Sequence, residues 1–205
     1  LRGAKLIFDV RDLWSDELIT YGDMSEKSIP VRVARMLENW GYRHADLITT
    51  TTKSLLETIV DRGGKAERAF YLPNGADLEM FKPLPPNNEI AGEYSFGDRL
   101  VVMYSGLFGI KHGLEILLEA AEKLRDRKDI VFFLLCNGAR RENLENHIKE
   151  KSLENVIISG ERKIDEIAKI IARADVCFAA VRPEPYPKKL ISVKIFEYLA
   201  CEKPV

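Results

Sequence analysis

No stretch of this 205-residue chain approaches the ~18 consecutive apolar residues that a membrane-spanning helix needs. The strongest apolar run, IVFFLLC at 130–136, is far too short. Cysteine is scarce. Cys136, Cys177 and Cys201 stand apart without metal-ligand spacing and fit buried thiols in a reducing compartment, not a disulfide framework. His44, His112 and His147 are too scattered to suggest a metal site. Neither sign of charge dominates: 31 basic residues face 32 acidic ones, for a net charge of −1. That balance lacks the electrostatic footprint of a nucleic-acid binder, and no nucleic-acid partner is expected. Internal repeats, low-complexity tracts and an Asp-x-Asp motif are also missing. The chain starts at Leu1 without Met and stops on a strand-like Pro204-Val205, so a fragment of a larger protein is expected.

What remains is an ordinary globular composition, 46% hydrophobic and 31% charged, with a strong alternation. Short apolar runs (KLIFDV, DLITTT, AFYLP, RLVVMYS, DIVFFLLC, NVIISG, DVCFAAV) read as strands. Between most of them lie amphipathic helical stretches. VRVARMLENWGYRHA (31–45) is expected to turn Val33, Met36, Leu37 and Trp40 inward, and KSLLETIVDRGG is closed by Gly63-Gly64. RDLWSDELITYGDMSEKSIP reads as a loop. Pro73-Asn74-Gly75 is a turn signal, and the Pro/Asn/Gly-rich stretch 83–98 is the expected domain boundary. The pattern is α/β, with parallel sheets flanked by helices. The expected division is residues 1–83, a linker at 84–98, and residues 99–205. Right-handed crossovers gather the loops after Val10, Ser105, Cys136, Gly160 and Val181 at the carboxyl edge, where such sheets bind ligands.

Three of these loops, and the helix that closes the chain, carry candidate chemistry. VVMYSGLFGIKHGLEILLEA sets Gly106, Gly109 and Gly113 between a strand and a helix, with Lys111 and His112 adding charge. A helix N-terminus behind glycines suits a phosphate. The spacing is neither the dinucleotide fingerprint nor the Walker pattern, and a plain turn is an equal reading. SVKIFEYLACEKPV begins with a capping Ser192 and shows an apolar face of Val193, Ile195, Phe196, Leu199 and Ala200. Lys194 and Glu197 are either a solvated pair or a cation beside a carboxylate that accepts hydrogen bonds from two adjacent hydroxyls. Lys188 and Lys189, in RPEPYPKKLI, either meet a diphosphate or remain solvated. FDVRDLWSD places Arg11, Asp12 and Trp14 after a strand, as sugar-recognition groups or as a surface ion pair with Trp14 in the core. The helix bearing Arg32, Arg35, Trp40 and Arg43 rests on an anionic membrane surface or has a solvated basic face.

Together, PNGADLEMFKP, VVMYSGLFGIKHGLEILLEAAEKL, NVIISGERKIDEIAKIIARADVCFAAV and SVKIFEYLACEKPV resemble, in order and spacing, the retaining glycosyltransferases of family 4. That family has the GT-B fold of two Rossmann-like domains. The forms FDVRDLWSD and SVKIFEYLA resemble the subgroup that builds surface polysaccharides with amino- or deoxy-sugars. The resemblance begins partway through the N-domain, so that domain is expected to be incomplete, and the donor domain is expected to lack its C-terminal end.

The resemblance implies a sugar moved with retention from a nucleoside-diphosphate donor, UDP- or GDP-linked, to a glycan or lipid-linked acceptor. The donor would lie between the domains, without metal or other cofactor. It places Glu197 as the second acid of an E-x7-E motif that holds the ribose, and Gly106, Gly109, His112 and Gly113 beneath the diphosphate. Ser192 and Lys194 fall near the diphosphate, and Arg162 falls in the base pocket. Arg11, Asp12, Lys111 and Lys194 are the implied catalytic groups. It also implies a cytoplasmic protein with peripheral contact at the inner face of the membrane. Four departures stand out. Lys189 replaces the first acid of E-x7-E, Arg11 replaces the usual His of the N-domain loop, Leu107 replaces the usual Arg, and Glu202 replaces the usual Gly. A sugar-nucleotide epimerase and a non-catalytic nucleotide-sugar-binding module are the alternatives.

Overall fold

The expected alternation is present in a computed structural model, which describes residues 3–86, 92–107, 113–138, 141–179 and 190–205. The chain divides into two compact units, one of Leu1–Asn74 with Pro183–Ile191 and one of Gly75–Arg182 with Ser192–Val205. The division falls inside the Pro73-Asn74-Gly75 turn, not within 84–98. Phe81 and Phe96 are buried in the core of the second unit, and Met80, Leu84 and Tyr94 pack against it, so the described part of the expected linker belongs to that unit. Among the described residues, no helix is long and apolar enough to cross a membrane.

The first unit holds a parallel sheet in the order β1 (Ile7–Val10), β2 (Leu47–Thr50), β3 (Ala69–Tyr71). Its helices are α1 (Trp14–Thr20), α2 (Ile29–His44) and α3 (Lys53–Asp61). The α3 helix starts on a Thr52 side chain that accepts from the Leu55 N–H. It ends at Gly63, whose φ of +99° is the left-handed form that glycine adopts freely. The α1 helix lies in what the sequence suggested was loop. It forms because Leu13 and Ser15 are fully buried at its start and because Asp16 and Glu17 favour the positive end of its dipole.

The α2 helix is seated on the opposite face from the one expected. Val31, Glu38, Gly41 and Tyr42 point inward, while Val33, Met36, Leu37 and Trp40 are exposed. Two features set this orientation. Gly41 lets the helix approach the sheet closely, because a Cβ there would overlap the Phe8 ring. Glu38 can be buried because both of its carboxylate oxygens are satisfied, by the Ser15 N–H at 2.9 Å and the Ser15 hydroxyl at 2.7 Å. Arg62, bound through one nitrogen to both oxygens of Asp16, lies 3.7 Å from Glu38 and completes the network tying α1, α2 and α3.

The second unit is a four-stranded parallel sheet in the order β6 (Val156–Ser159), β5 (Ile130–Asn137), β4 (Leu100–Leu107), β7 (Val176–Cys177). Helices α4 (Leu114–Lys123) and α5 (Arg141–Glu150) cover one face with Tyr104, Phe132 and Leu134. Helices α6 (Ile164–Ile171) and α7 (Val193–Ala200) cover the other with Val101, Met103, Phe133 and Leu135. Burial on both faces is why these strands read as continuous apolar runs. The chain runs from β4 outward to β6, then returns to the other side of β4. This reversal is the switch point outside which open α/β sheets bind ligands.

The α7 helix ends in a Schellman turn: Lys203 N–H bonds Tyr198 C=O at 3.0 Å, and Glu202 N–H bonds Leu199 C=O at 2.9 Å. Its left-handed position is Glu202, with φ +55°. Glu202→Gly is therefore expected to raise unfolding stability by about 1 kcal/mol, read as a higher urea midpoint with an unchanged m-value.

Candidate active site

At the carboxyl edge of the second sheet, strands β4 and β5 end in register, with Gly106 opposite Cys136 and Leu107 opposite Asn137. A cavity of about 360 Å³ opens there, wholly within the second unit. Its walls are the ends of β4 and β5, Glu161 and Arg162 after β6, Ile164 and Ile167 of α6, Phe81, and the first turns of α7. From α7 come Val193, Lys194 and Glu197. The expected apolar face of this helix is only partly correct. Tyr198 is its fully buried residue, Leu199 is exposed, and Val193 lines the cavity.

Lys194 lies against Gly106. A Cβ at position 106 would overlap the lysine side chain, and Gly106 has a φ of +137° that other residues rarely adopt. The ammonium sits 5.4 Å from the centre of the Tyr104 ring, within range of a cation–π attraction. Burial holds the Lys194 pKa below its usual range, with the Glu197 charge opposing the shift. Burial likewise raises the Glu197 pKa above the usual carboxylate range, and Lys194 opposes that shift. The two charges are thus partly dehydrated neighbours on the cavity wall, not a solvated pair on an outer helix face. A cation short of water at the end of a glycine-bearing strand is a ready partner for an anion.

The helix that carries this pair is anchored by Tyr198. Its buried hydroxyl accepts from the Ser105 N–H at 2.9 Å and bonds the Ser105 hydroxyl at 3.0 Å. Ser105 is the residue before Gly106, so the anchor fixes α7 to the strand end where Lys194 must lie. Arg162 is held by the Glu93 carboxylate and the Tyr94 hydroxyl, with Tyr94 in turn 2.7 Å from the Ser159 hydroxyl. Cys136 is an inert wall, its thiol pushed up to about 11 by burial.

The structure therefore gathers Gly106, Arg162, Lys194 and Glu197 around one cavity. Ser192 occupies the N-cap position of α7, but its side chain makes no capping bond. Gly113 caps α4 in a left-handed conformation. Gly109, Lys111, His112, Lys188 and Lys189 lie outside the described residues. Arg11 and Asp12 belong to the first unit. There the Arg11 guanidinium donates to Asn74 at 2.8 Å and lies 3.5 Å from Asp9. Trp14 is 66% exposed, which removes the reading that packed it in the core. Asn137, Glu161 and the Tyr198–Ser105 anchor were missed. Asn137 follows Cys136 and Glu161 follows Gly160, both in loops already singled out, so position alone pointed to them. Nothing in the sequence marks a tyrosine hydroxyl as a strand anchor.

Tyr198→Phe removes the hydroxyl that accepts from the buried Ser105 N–H. It is expected to cost about 1–3 kcal/mol of stability, read from urea unfolding.

Comparison with known proteins identifies the family. Residues 99–205 match the family described as "Glycosyl transferases group 1", and residues 1–75 match the "Glycosyl transferase 4-like domain". WcaI of Escherichia coli K12, named for glycosyl transfer in colanic acid biosynthesis, is 23% identical over 98% of this chain and 50% of its own length. TuaH of Bacillus subtilis 168, named for glycosyl transfer in teichuronic acid biosynthesis, is 25% identical over 98% of this chain and 49% of its own. HepE of Anabaena, solved with UDP-glucose, superposes with a TM-score of 0.75 at 23% identity, over 98% of this chain and 52% of that one. The chain thus spans about half the length of the curated relatives it matches over nearly its whole extent. From the family matches and the fold, the chain belongs to the group 1, family 4-like glycosyltransferases of GT-B architecture.

Proposed function

We propose that this chain forms the donor-binding part of a glycosyltransferase that moves a sugar from a nucleoside diphosphate to a glycan or lipid-linked acceptor, with retention, in surface-polysaccharide synthesis. The observation that carries the reading is Lys194 laid over Gly106 with Glu197 one turn further along α7, all facing one cavity. In this reading the Lys194 ammonium and the backbone at Gly106 receive the diphosphate. The ionised Glu197 accepts hydrogen bonds from the two ribose hydroxyls, and Arg162 borders the base. WcaI and TuaH, named for polysaccharide synthesis, and HepE, which binds UDP-glucose, support the substrate class.

The reaction breaks the bond between the anomeric carbon and the diphosphate oxygen and forms one to an acceptor oxygen. The leaving diphosphate gains negative charge, and the acceptor proton passes to its phosphate. A fixed, partly dehydrated ammonium beside that oxygen lowers the barrier without reorganising solvent. In this proposal Lys194 supplies that charge and no metal is required.

The test is transfer by the native-length protein from UDP- and GDP-sugars to a lipid-linked acceptor, with and without EDTA. Acceptor-dependent release of nucleotide that survives EDTA supports the reading. Release of free sugar without acceptor would indicate the epimerase, and binding without turnover the module.

Affinity for UDP is expected to follow a bell in pH. It falls in acid as Glu197 protonates, above the usual glutamate value of about 4.3, and in alkali as Lys194 loses its proton, below the usual ~10.4. Glu197→Gln should weaken UDP about tenfold or more near neutral pH and abolish the acid limb. Calorimetry across pH checks both, and an unchanged acid limb removes Glu197 from the site.

A further inference from the structure

The Pro73-Asn74-Gly75 turn takes no part in the cavity of the second unit, yet the side chain of its central residue is bonded at both ends. The Asn74 carbonyl oxygen accepts from the Arg11 guanidinium at 2.8 Å. Its amide nitrogen donates to the Ile191 carbonyl at 3.4 Å. Arg11 is 63 residues away along the chain and Ile191 is 117, and all three residues belong to the first unit. Leu190, the neighbour of Ile191, packs against the core of that unit, so the accepting carbonyl is itself held in place. Asn74 and Ile191 are also the residues at which the chain leaves the first unit, and α7 begins just past the second of them, at Val193.

An amide is suited to join these two partners. A guanidinium has donors and no acceptor, while a carbonyl has lone pairs and no donor. The two bonds together fix which way the Asn74 amide points, and so fix one end of the Arg11 guanidinium. Asp9 steadies another edge of it. One Asp9 oxygen lies 3.5 Å from Arg11 Nε, and the other accepts from the Thr49 hydroxyl at 2.7 Å. Even so, the Arg11 side chain is 62% exposed. A guanidinium gripped on one side and open on the other keeps donors for an oxygen from outside. Arg11 follows directly on β1, at the carboxyl edge where open α/β sheets take their ligands.

We propose that Asn74 is a positioning residue for sugar transfer. It holds the Arg11 guanidinium in the orientation that the reaction uses, and it makes that orientation depend on the backbone entering α7. The inference rests on the transfer reading and adds to it a residue outside the donor cavity.

The experiment measures kcat for acceptor-dependent transfer, Kd for the donor's nucleotide and the urea midpoint, all with the native-length protein. The variants are Asn74→Ala, Asn74→Asp, Arg11→Ala and the double alanine change. Asn74→Ala should lower kcat about tenfold or more. Its nucleotide Kd should stay within about twofold, because the cavity lies in the second unit. Asn74→Asp keeps an acceptor for Arg11 and loses the donor to Ile191, so its kcat should fall between the wild type and Asn74→Ala. The double variant should lose no more than Arg11→Ala alone, because Asn74 acts through Arg11. Wild-type kcat in Asn74→Ala overturns the inference and leaves the transfer reading standing. So does a loss of nucleotide affinity or urea midpoint that matches the loss of kcat, as a purely structural turn would give. So does a double variant in which the two single losses multiply. No transfer by the wild type from any donor overturns the transfer reading and this inference with it. If the alanine variant does not fold, Asn74→Asp decides: a lowered kcat at unchanged nucleotide Kd supports the inference, and wild-type kcat overturns it.

Discussion

The candidate site depends on one contact, the passage of the Lys194 side chain across the bare backbone of Gly106. It requires a residue without Cβ at the end of β4. It also requires α7 to be held at a fixed height over that strand end, and the Tyr198–Ser105 bonds hold it there. If either is removed, the ammonium no longer sits where strand register and the reversal of strand order open a cavity. The first turns of α7 then carry three roles at once: an apolar wall in Val193, a cation in Lys194 and an acceptor in Glu197.

The electrostatics follow from that placement. On an open helix face, Lys194 and Glu197 would be a weak surface pair worth a few tenths of a kcal/mol. On a half-buried cavity wall, each loses water and the two pKa values move toward one another. The same partial dehydration makes a ligand carrying complementary groups more valuable to the site. Arg162 has a different character. Held by Glu93 and Tyr94, its charge is already engaged, so it serves better as a shaped border than as a second cation.

The first unit shows what happens when burial falls on a charged residue instead. Glu38 is inside because Ser15 and Arg62 satisfy it, and Gly41 lets its helix settle onto Phe8. The apolar residues that a periodicity argument would turn inward are left outside, beside arginines. Hydrophobic spacing identifies α2 correctly as a helix. It picks the wrong face because two apolar arcs are present, and the inner one contains a glutamate.

The sequence by itself determined most of the elements and their order: parallel strands, those of the second unit buried on both faces, helices with legible ends, and a break at Pro73-Asn74-Gly75. It also determined which loops of each sheet gather at its carboxyl edge, since strand order and crossover handedness send them there. These features are local or topological, and residue spacing encodes them. Tertiary structure alone decided which face of α2 is inside, that a helix forms over Trp14–Thr20, and that Phe81 and Phe96 belong to the second core. It decided as well that Lys194 and Glu197 face a cavity and that Tyr198 fixes them there. Each of these depends on residues far apart in the chain, such as Ser15 with Glu38 and Ser105 with Tyr198, whose meeting becomes definite only once the packed fold has excluded water from around them.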